Sequence, residues 1–446
     1  MILRYKMLSK SISAMKKTLP IFIISLIAVP SYCKGALSIL PQNPRYFADP
    51  EGKPLLLTGL YVWNIFSDPT FDYKSFFRRL KDNSLDFARV WVMWGWEGEN
   101  WLCPYERTGP GLAKDGKPKF NLDKFNPFFF KHLKDVLEAA RREGIYLQLV
   151  IFDAWCLKNS EGHWDRHCFN GANNVNGVNA DKNGDGKGLE FCSLKDEKIV
   201  AYQKRFIDKL LEVCAPYENI FFEVANENSY DREWEEAMGK YIKEKEKGRR
   251  IKHLVMPLDM PNHDGAGIKV WNLKALKDGF RKAYEKFNQP LIMDTDGIGE
   301  PEEEVIRRAF WTTFVSGGHF DFLDSALAPQ QGGGPLNPLR GKVYKQMGYI
   351  AQMGKKVEFW KMKPMDEIVI KGTAFAFGEA GRSYVVYLPY GGRIQLMLGS
   401  SGLFRYRWFD PREGIFKGEG MFKGDRAHYF TSPGDGDWVL LIEKGK

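Results

Sequence analysis

The sequence lacks the patterns that mark several common classes of protein. Its 446 residues contain no low-complexity stretch and no internal repeat, so neither a repeat array nor a long disordered chain is expected. No run of Lys and Arg is interleaved with aromatic residues along one face, so nucleic-acid binding is not supported. No glycine-rich phosphate loop follows the first strand-like segment. What remains is a globular chain with 44% hydrophobic residues, enough for a large core.

Long apolar runs are also scarce. The one at Leu19–Val29 follows a pair of lysines, precedes a segment of small residues, and is too short to span a bilayer. This layout is typical of a signal peptide, here residues 1–33, with cleavage after Cys33 or Gly35. We therefore expect a secreted or periplasmic protein that has no membrane segment after cleavage.

Cysteine is sparse, and one of the six lies in the predicted leader. The remaining five are Cys103, Cys156, Cys168, Cys192 and Cys214, an odd number that permits at most two bridges. Cys168 and Cys192 flank an irregular loop, and an exported compartment permits a disulfide between them. Sequence alone does not establish the connectivity.

Strand-like and helix-like segments alternate between residues 34 and 362. After a hairpin at the start, the predicted strands include 86–94, 145–152, 220–225, 253–258, 267–271, 291–293 and 319–323. The predicted helices are 73–83, 127–143, 198–214, 231–247, 274–287 and 301–315. About eight parallel strands favour a closed α/β barrel, a (β/α)8 TIM barrel, over an open doubly wound sheet. No helix separates the strands at 253–258 and 267–271.

The pattern changes near residue 363. Helical residues 338–362 are expected to close the barrel, and short strands with glycine-rich turns then follow to the end of the chain. Residues 363–446 therefore predict a small all-β sandwich domain.

A carboxylate stands where one predicted barrel strand ends. In FFEVANENS, an apolar run leads directly into Asn226, Glu227 and Asn228. Active sites of (β/α)8 barrels lie at the C-terminal ends of the strands, so Glu227 is a candidate catalytic acid. The alternative is a glutamate in a polar loop, with the two asparagines turning the chain.

Glycoside hydrolysis typically needs a second carboxylate. PLIMDTDG ends a later strand with Asp294 and Asp296, which period-two alternation places on one face. Either aspartate can instead bind backbone amides in the following turn.

Other strand ends carry charged and aromatic residues. Arg89 lies near the end of the second strand, where it can orient a catalytic carboxylate and lower its pKa. Asp153 and Trp155 follow the third strand, although Arg89 or Asp153 can equally belong to a structural ion pair. Tryptophans gather at the same places, among them Trp63 and Trp94, and flat aromatic rings pack on the C–H faces of sugars. We expect two or three of them to contact a ligand.

The long insertion at residues 161–196 contains His163 and His167, four residues apart beside Cys168, which resembles a zinc spacing. A Gly/Asn-rich loop does not ensure that these side chains converge. We interpret the insertion as a turn-rich loop over the active site, with His167 and Asn174 as candidate substrate contacts.

Residues 181–186 also resemble the start of a calcium loop, with Asp181, Asn183 and Asp185 at the required spacing. Cys192 stands where the bidentate glutamate should be. We therefore expect neither a metal nor a cofactor.

Several long motifs occur in one order along the chain: RYFADPEGKPLLLTG, NNVNGVNADKNGDGKG, FFEVANEN, LIMDTDG and RYRWFDPREG. Together they resemble a family of bacterial glycoside hydrolases of the clan A barrel type, cellulase- or apiosidase-like, fused to a C-terminal domain named for collagen binding. The resemblance spans nearly the whole mature chain. It implies that Glu227 is the general acid/base, that Asn226 contacts the sugar, and that Arg89 is the arginine of strand two.

The sequence departs from that family at one position. Clan A enzymes usually carry the nucleophile as a glutamate two residues before a strand-seven glycine, and Thr295 occupies that place here. Asp296, or Asp294 in reserve, must then substitute. The shorter aspartate side chain widens the carboxylate gap towards that of an inverting enzyme.

Two functional hypotheses follow. The first is an exported, monomeric glycoside hydrolase that cleaves O-glycosidic bonds of a poly- or oligosaccharide, with Glu227 as general acid. The second is a non-catalytic carbohydrate-binding or matrix-adhesion protein on a barrel scaffold, which Thr295 favours.

Overall fold

A computed structural model describes residues 35–93, 101–228, 230–261, 272–293, 303–323 and 338–445, with the backbone alone at 338–340. The strands before the sandwich are β1 Ser38–Ile39, β2 Phe47–Ala48, β3 Pro54–Leu55, β4 Gly59–Val62, β5 Phe87–Trp91, β6 Tyr105–Leu112, β7 Pro118–Phe125, β8 Tyr146–Asp153, β9 Ile220–Asn226, β10 Val255–Met256, β11 Ile292–Met293 and β12 His319–Phe320. The helices are α1 Tyr73–Asp82, α2 Pro127–Glu143, α3 Trp155–Asn159, α4 His163–Arg166, α5 Glu197–Cys214, α6 Arg232–Lys245, α7 Leu273–Lys286, α8 Glu303–Phe314 and α9 Pro338–Gly354.

Parallel strands form most of a closed ring. Five of them pair in the order β10-β9-β8-β5-β4, and β11 pairs with β12. Parallel bridges from Thr58 to Phe320 and from Tyr61 to Leu323 join the end of the series back to its beginning. The architecture is the predicted (β/α)8 barrel, while the predicted strand 267–271 lies outside the described residues.

Capping residues define where the helices begin and end. The Asn126 side chain accepts a hydrogen bond from the Phe128 amide, Pro127 occupies the first turn, and Gly144 ends α2 with φ 74°. Asp196 caps α5 by accepting from two backbone amides. Both helices bury one apolar face, so they cover the outside of the barrel.

The C-terminal strands form two antiparallel sheets, as expected for a sandwich. Their bounds are β13 Lys363–Pro364, β14 Val369–Lys371, β15 Phe375–Glu379, β16 Ser383–Leu388, β17 Arg393–Leu396, β18 Leu403–Asp410, β19 Ile415–Lys423, β20 His428–Thr431 and β21 Trp438–Lys444. One sheet has the order β13-β15-β16-β21-β18-β19, and the other β14-β17-β20.

The larger sheet buries both of its faces. Along β16, Tyr384, Val386 and Leu388 belong to the sandwich core, whereas Val385 and Tyr387 belong to the main core shared with the barrel. This alternation is the period of two expected for a strand. The sandwich is therefore packed against the barrel rather than tethered to it.

One antiparallel hairpin, β6 with β7, was not predicted from the sequence. It lies between β5 and α2 and bridges to the insertion through Phe120 and Asn174. In the part of the chain that is described, no helix combines the length and apolarity required to cross a bilayer.

Candidate functional site

The site is built where neighbouring barrel strands end. Asp153 closes β8 and Asn226 closes β9, and the two residues are paired in the parallel register. The Asn226 side-chain amide donates to Asp153 Oδ1 over 3.2 Å. Trp91, the last residue of β5, donates its indole N–H to the same oxygen over 3.4 Å. Three consecutive strands of the ring thus contribute to one hydrogen-bonded cluster.

Glu227 follows β9 directly, in an unusual backbone conformation. Its φ is 46°, and among the described non-glycine residues only Ser84 shares a positive φ. An L-residue in this left-handed region costs about 1–2 kcal/mol, and such strain collects at functional sites. The side chain of Glu227 is half-buried at the edge of the ring.

A buried ion pair lies beneath these strand ends. Arg89 donates to both carboxylate oxygens of Glu223, Nε to Oε2 over 2.8 Å and Nη2 to Oε1 over 2.6 Å. Gln148 donates to Oε2 over 2.7 Å. Arg89 Nη2 also donates to Asn226 Oδ1 over 2.7 Å. Because Arg89 holds the amide oxygen and Asp153 accepts from the amide nitrogen, Asn226 is fixed in one orientation.

Glu223 was not among the site residues predicted from the sequence. The sequence feature that could have identified this residue is a single charge inside the apolar run FFEVAN, on the same strand face as Phe221 and Ala225. Arg89 was expected to orient a carboxylate, and Glu223 is one that it holds in the structure. Arg89 therefore belongs to a structural ion pair, the alternative considered from the sequence, and it also positions Asn226.

Asp153 has a different environment. It is 6% exposed, and its Oδ2 accepts from the Cys156 backbone amide over 2.9 Å. Neutral N–H groups thus hold this carboxylate, in contrast to the guanidinium at Glu223. Trp155, two residues after Asp153, begins α3 and is 40% exposed. Its ring is therefore accessible to a ligand at this edge of the barrel.

Aromatic rings cover the ion pair. The guanidinium of Arg89 lies 4.8 Å from the Trp91 ring centroid and 5.7 Å from that of Tyr61. Tyr61 in turn contacts Trp63, which is half-buried just beyond β4. Trp164 is buried and packs in the core. The described tryptophans thus divide into packing residues and partly exposed ones.

Two of the predicted substrate contacts, His167 and Asn174, instead contact other residues of the insertion. The His167 ring stacks on Trp164 with centroids 5.0 Å apart, and its Nδ1 accepts from the Phe169 amide. Burial lowers the pKa of His167 to about 3, so the ring is neutral. Asn174 donates to the carbonyls of Cys168, Asn170 and Val178. These contacts make both side chains part of the loop's own packing.

The calcium-like segment is organised by backbone amides. Asp181 accepts from the amides of Gly184, Asp185 and Gly186, and Asp185 accepts from the amide of Lys187. The carboxylates that a calcium loop would direct at a cation therefore bind the turn itself.

The disulfide that the sequence left open between Cys168 and Cys192 is not formed. All five cysteines of the described chain are free thiols. Cys168 and Cys192 are buried among apolar side chains of the main core, where each packs as a small hydrophobic residue. His163 does not join His167 at a metal site either, but lies with Asp153 and Cys156.

Three predicted residues, Asp294, Asp296 and Trp94, lie outside the described residues. The two aspartates follow β11 in sequence.

The chain is similar to known proteins in its fold and in its C-terminal part. The family model described as "Putative collagen-binding domain of a collagenase" matches residues 373–443, which confirms the resemblance noted for that part. A glycoside hydrolase family 5 structure from Bacteroides vulgatus is 15% identical, with 92% of this chain and 93% of that chain covered and a TM-score of 0.66.

Another structure, named "Glycoside hydrolase", is also 15% identical, with 92% and 97% covered and a TM-score of 0.63. No curated protein matches the chain in sequence. At these identities the similarity establishes the fold, a TIM barrel followed by a β-rich domain.

Proposed function

We propose that this protein is an exported glycoside hydrolase in which Glu227 acts as general acid. The observation that carries the proposal is the strained backbone of Glu227 at the end of a central barrel strand, directly after an Asn226 that two buried groups hold in place. The similar structures bear the name glycoside hydrolase, which supports the same class. Export rests on the predicted leader at residues 1–33.

In the proposed mechanism, Glu227 protonates the departing glycosidic oxygen. Asp296 acts as nucleophile or as base towards water, with Asp294 as the reserve for that role. Asn226 hydrogen-bonds the sugar next to the cleaved bond, and Trp155 and Trp63 pack on sugar faces. Arg89 and Asp153 position Asn226 through the contacts described above.

The residues of the site differ in how much the rate of hydrolysis should fall when each is removed. Loss of the general acid is expected to slow hydrolysis by about 10²–10⁴-fold, the usual contribution of such catalysis. Loss of a positioning contact should cost less, because the acid itself remains. Carboxylates of Glu227 and one strand-seven aspartate about 5–10 Å apart in a ligand complex would fit hydrolysis.

Release of reducing ends from a panel of polysaccharides tests the proposal. The purified protein should release them from at least one member, and Glu227→Gln should slow release by about 10²–10⁴-fold while retaining the melting temperature and saccharide binding. Glu233→Gln, the same change at an exposed position of α6, is the matched control and should be fully active.

Binding on a glycan array without any release over long incubation would instead support the second candidate, a carbohydrate-binding protein. The residue that favours that candidate is Thr295 at the expected nucleophile position.

The proposed domains are a catalytic barrel at residues 34–362 and a sandwich at residues 363–446, in a monomeric protein. We assign the sandwich a structural role, because its larger sheet is buried against the barrel. Specific binding of collagen by the intact protein, lost when exposed sandwich residues are substituted, would contradict this assignment.

A further inference from the structure

Three metal-ligating side chains of different types meet at the rim of the barrel. Asp153 ends β8, Cys156 lies in α3, and His163 begins α4. One ligand atom from each residue lies within 4.8 Å of the other two, and all three residues are buried. Within the described ranges this is the one such group of three or more His, Cys, Asp or Glu residues.

The spacing is close to that of a tetrahedral metal site. Zinc lies about 2.0–2.3 Å from carboxylate oxygen, imidazole nitrogen and thiolate sulfur, which places the ligand atoms about 3.5 Å apart. Movements of about 1 Å, shared among three side chains, would therefore close the group around an ion. Cys156 and His163 belong to one- to two-turn helices joined by a short loop, so small adjustments need not disturb the barrel.

The donor set favours one class of cation. Thiolate, imidazole and carboxylate together suit Zn²⁺, whereas Ca²⁺ and Mg²⁺ prefer oxygen ligands alone. Two anionic ligands would balance the two charges of the ion, so the loaded group carries no net charge into its buried position. On binding, the Cys156 thiol proton passes to solvent and the sulfur bonds to the metal.

Hydrogen bonds from neighbouring groups already orient the carboxylate of Asp153. Asp153 Oδ1 accepts from Asn226 and Trp91, and Oδ2 accepts from the Cys156 amide. An ionised carboxylate offers about four acceptor positions, so lone-pair capacity remains for a metal. Hydrogen bonds of this kind fix the direction of metal ligands in known sites.

We propose that Asp153, Cys156 and His163 bind a zinc-type divalent cation with a fourth position left for water or another ligand. The site adjoins Asn226, which donates to Asp153. The cation would therefore border the sugar-binding edge of the barrel. This inference concerns metal binding and does not depend on hydrolysis.

Cobalt substitution tests the site directly. The purified protein, stripped with chelator, is titrated with Co²⁺, and ultraviolet and visible absorption is recorded. One equivalent per chain should produce a thiolate-to-cobalt charge-transfer band together with the visible bands of tetrahedral Co²⁺, and excess Zn²⁺ should bleach both.

Matched variants assign the ligands. Cys156→Ser should lose the charge-transfer band, and His163→Gln should lose the tetrahedral visible bands. Cys214→Ser removes another buried thiol, at the end of α5, and should keep the full spectrum. Circular dichroism checks that each variant is folded. A folded wild-type protein without the charge-transfer band, or a band that survives in Cys156→Ser, would overturn the proposal.

Discussion

Glu223 and Arg89 are single residues on which the geometry of the site depends. Both are almost fully buried, at 1% and 3% exposure. A buried pair contributes little net stability compared with well-packed apolar residues, but removal of one partner leaves an uncompensated charge. Here the pair has a second consequence, because Arg89 also holds Asn226.

Glu223→Gln should therefore lower the free energy of unfolding by about 3–5 kcal/mol, the usual cost of breaking a buried pair. Urea denaturation measures this change. The double variant Arg89→Met with Glu223→Leu removes both charges and should recover most of the stability. It should still hydrolyse more slowly than the wild type, because Asn226 is no longer held. Recovery of activity in the double variant would show that the pair acts through stability alone.

His319 links the opening hairpin to the last barrel strand as a neutral ring. Its Nδ1 accepts from the Leu57 amide over 3.0 Å, and burial lowers its pKa to about 3. Between pH 6.5 and 3 the unfolded chain takes up a proton that the folded protein does not, so stability falls as pH falls.

The expected contribution is up to about 1.4 kcal/mol per pH unit for this one proton. His319→Gln keeps an acceptor for Leu57 and should flatten the decline by that amount. Urea denaturation at several pH values measures the slope. Parallel curves for the two proteins would contradict this assignment.

At the scale of elements, the insertion depends on glycine where it packs on Trp164. Gly188 has φ 65°, and a Cβ there would overlap the Trp164 ring. Gly188→Ala should destabilise the insertion by about 1–3 kcal/mol through overpacking, added to the backbone strain. Gly184→Ala, with φ 74° and open space around it, is the control that carries the backbone strain alone.

The two variants are compared by limited proteolysis of residues 161–196 and by melting temperature, and Gly188→Ala should show the larger change. Equal effects of the two substitutions would show that contact with Trp164 does not organise the loop.

The elements that sequence predicted well carry their own boundary signals. α2 was predicted at residues 127–143, its observed extent, with Gly144 as the end signal, and in the structure Asn126 and Pro127 mark its start. The hairpin of β6 and β7 was missed because few residues of either strand are buried, so the apolar alternation is confined to Phe120 and Leu122. Glu223 was missed because period-two patterns select strand ends, whereas its role depends on a partner 134 residues away. The pairing of Cys168 with Cys192 stayed open because spacing in a loop does not reveal that both thiols pack in the core.

At the scale of the whole molecule, a buried pair joins the barrel to the sandwich. Asp437, which is fully buried, accepts from Arg307 Nη2 over 2.7 Å and from the Tyr387 hydroxyl over 3.0 Å. The Trp311 ring stacks on Tyr387 at the same contact. The barrel and the sandwich should therefore unfold together.

Asp437→Asn should cost about 1–3 kcal/mol, because it removes the buried carboxylate that holds Arg307 and leaves the half-buried Glu303 as the remaining counter-ion. Calorimetry of the wild type should show one transition, and the variant should melt lower or in two steps. Asp435→Asn, at an exposed position nearby, should leave the melting curve unchanged. An unaltered curve for Asp437→Asn would mean that the pair does not couple the two parts.

Glu227 is proposed to donate a proton to the leaving group, so the rate of the reaction in its absence should depend strongly on the acidity of that group. Values of kcat/KM are compared between wild type and Glu227→Gln for a natural glycoside and for an aryl glycoside with a highly acidic phenol. The variant should lose about 10²–10⁴-fold on the natural glycoside and far less on the aryl glycoside, which departs without protonation. An equal loss on both substrates, or no loss on either, would contradict the assignment of Glu227.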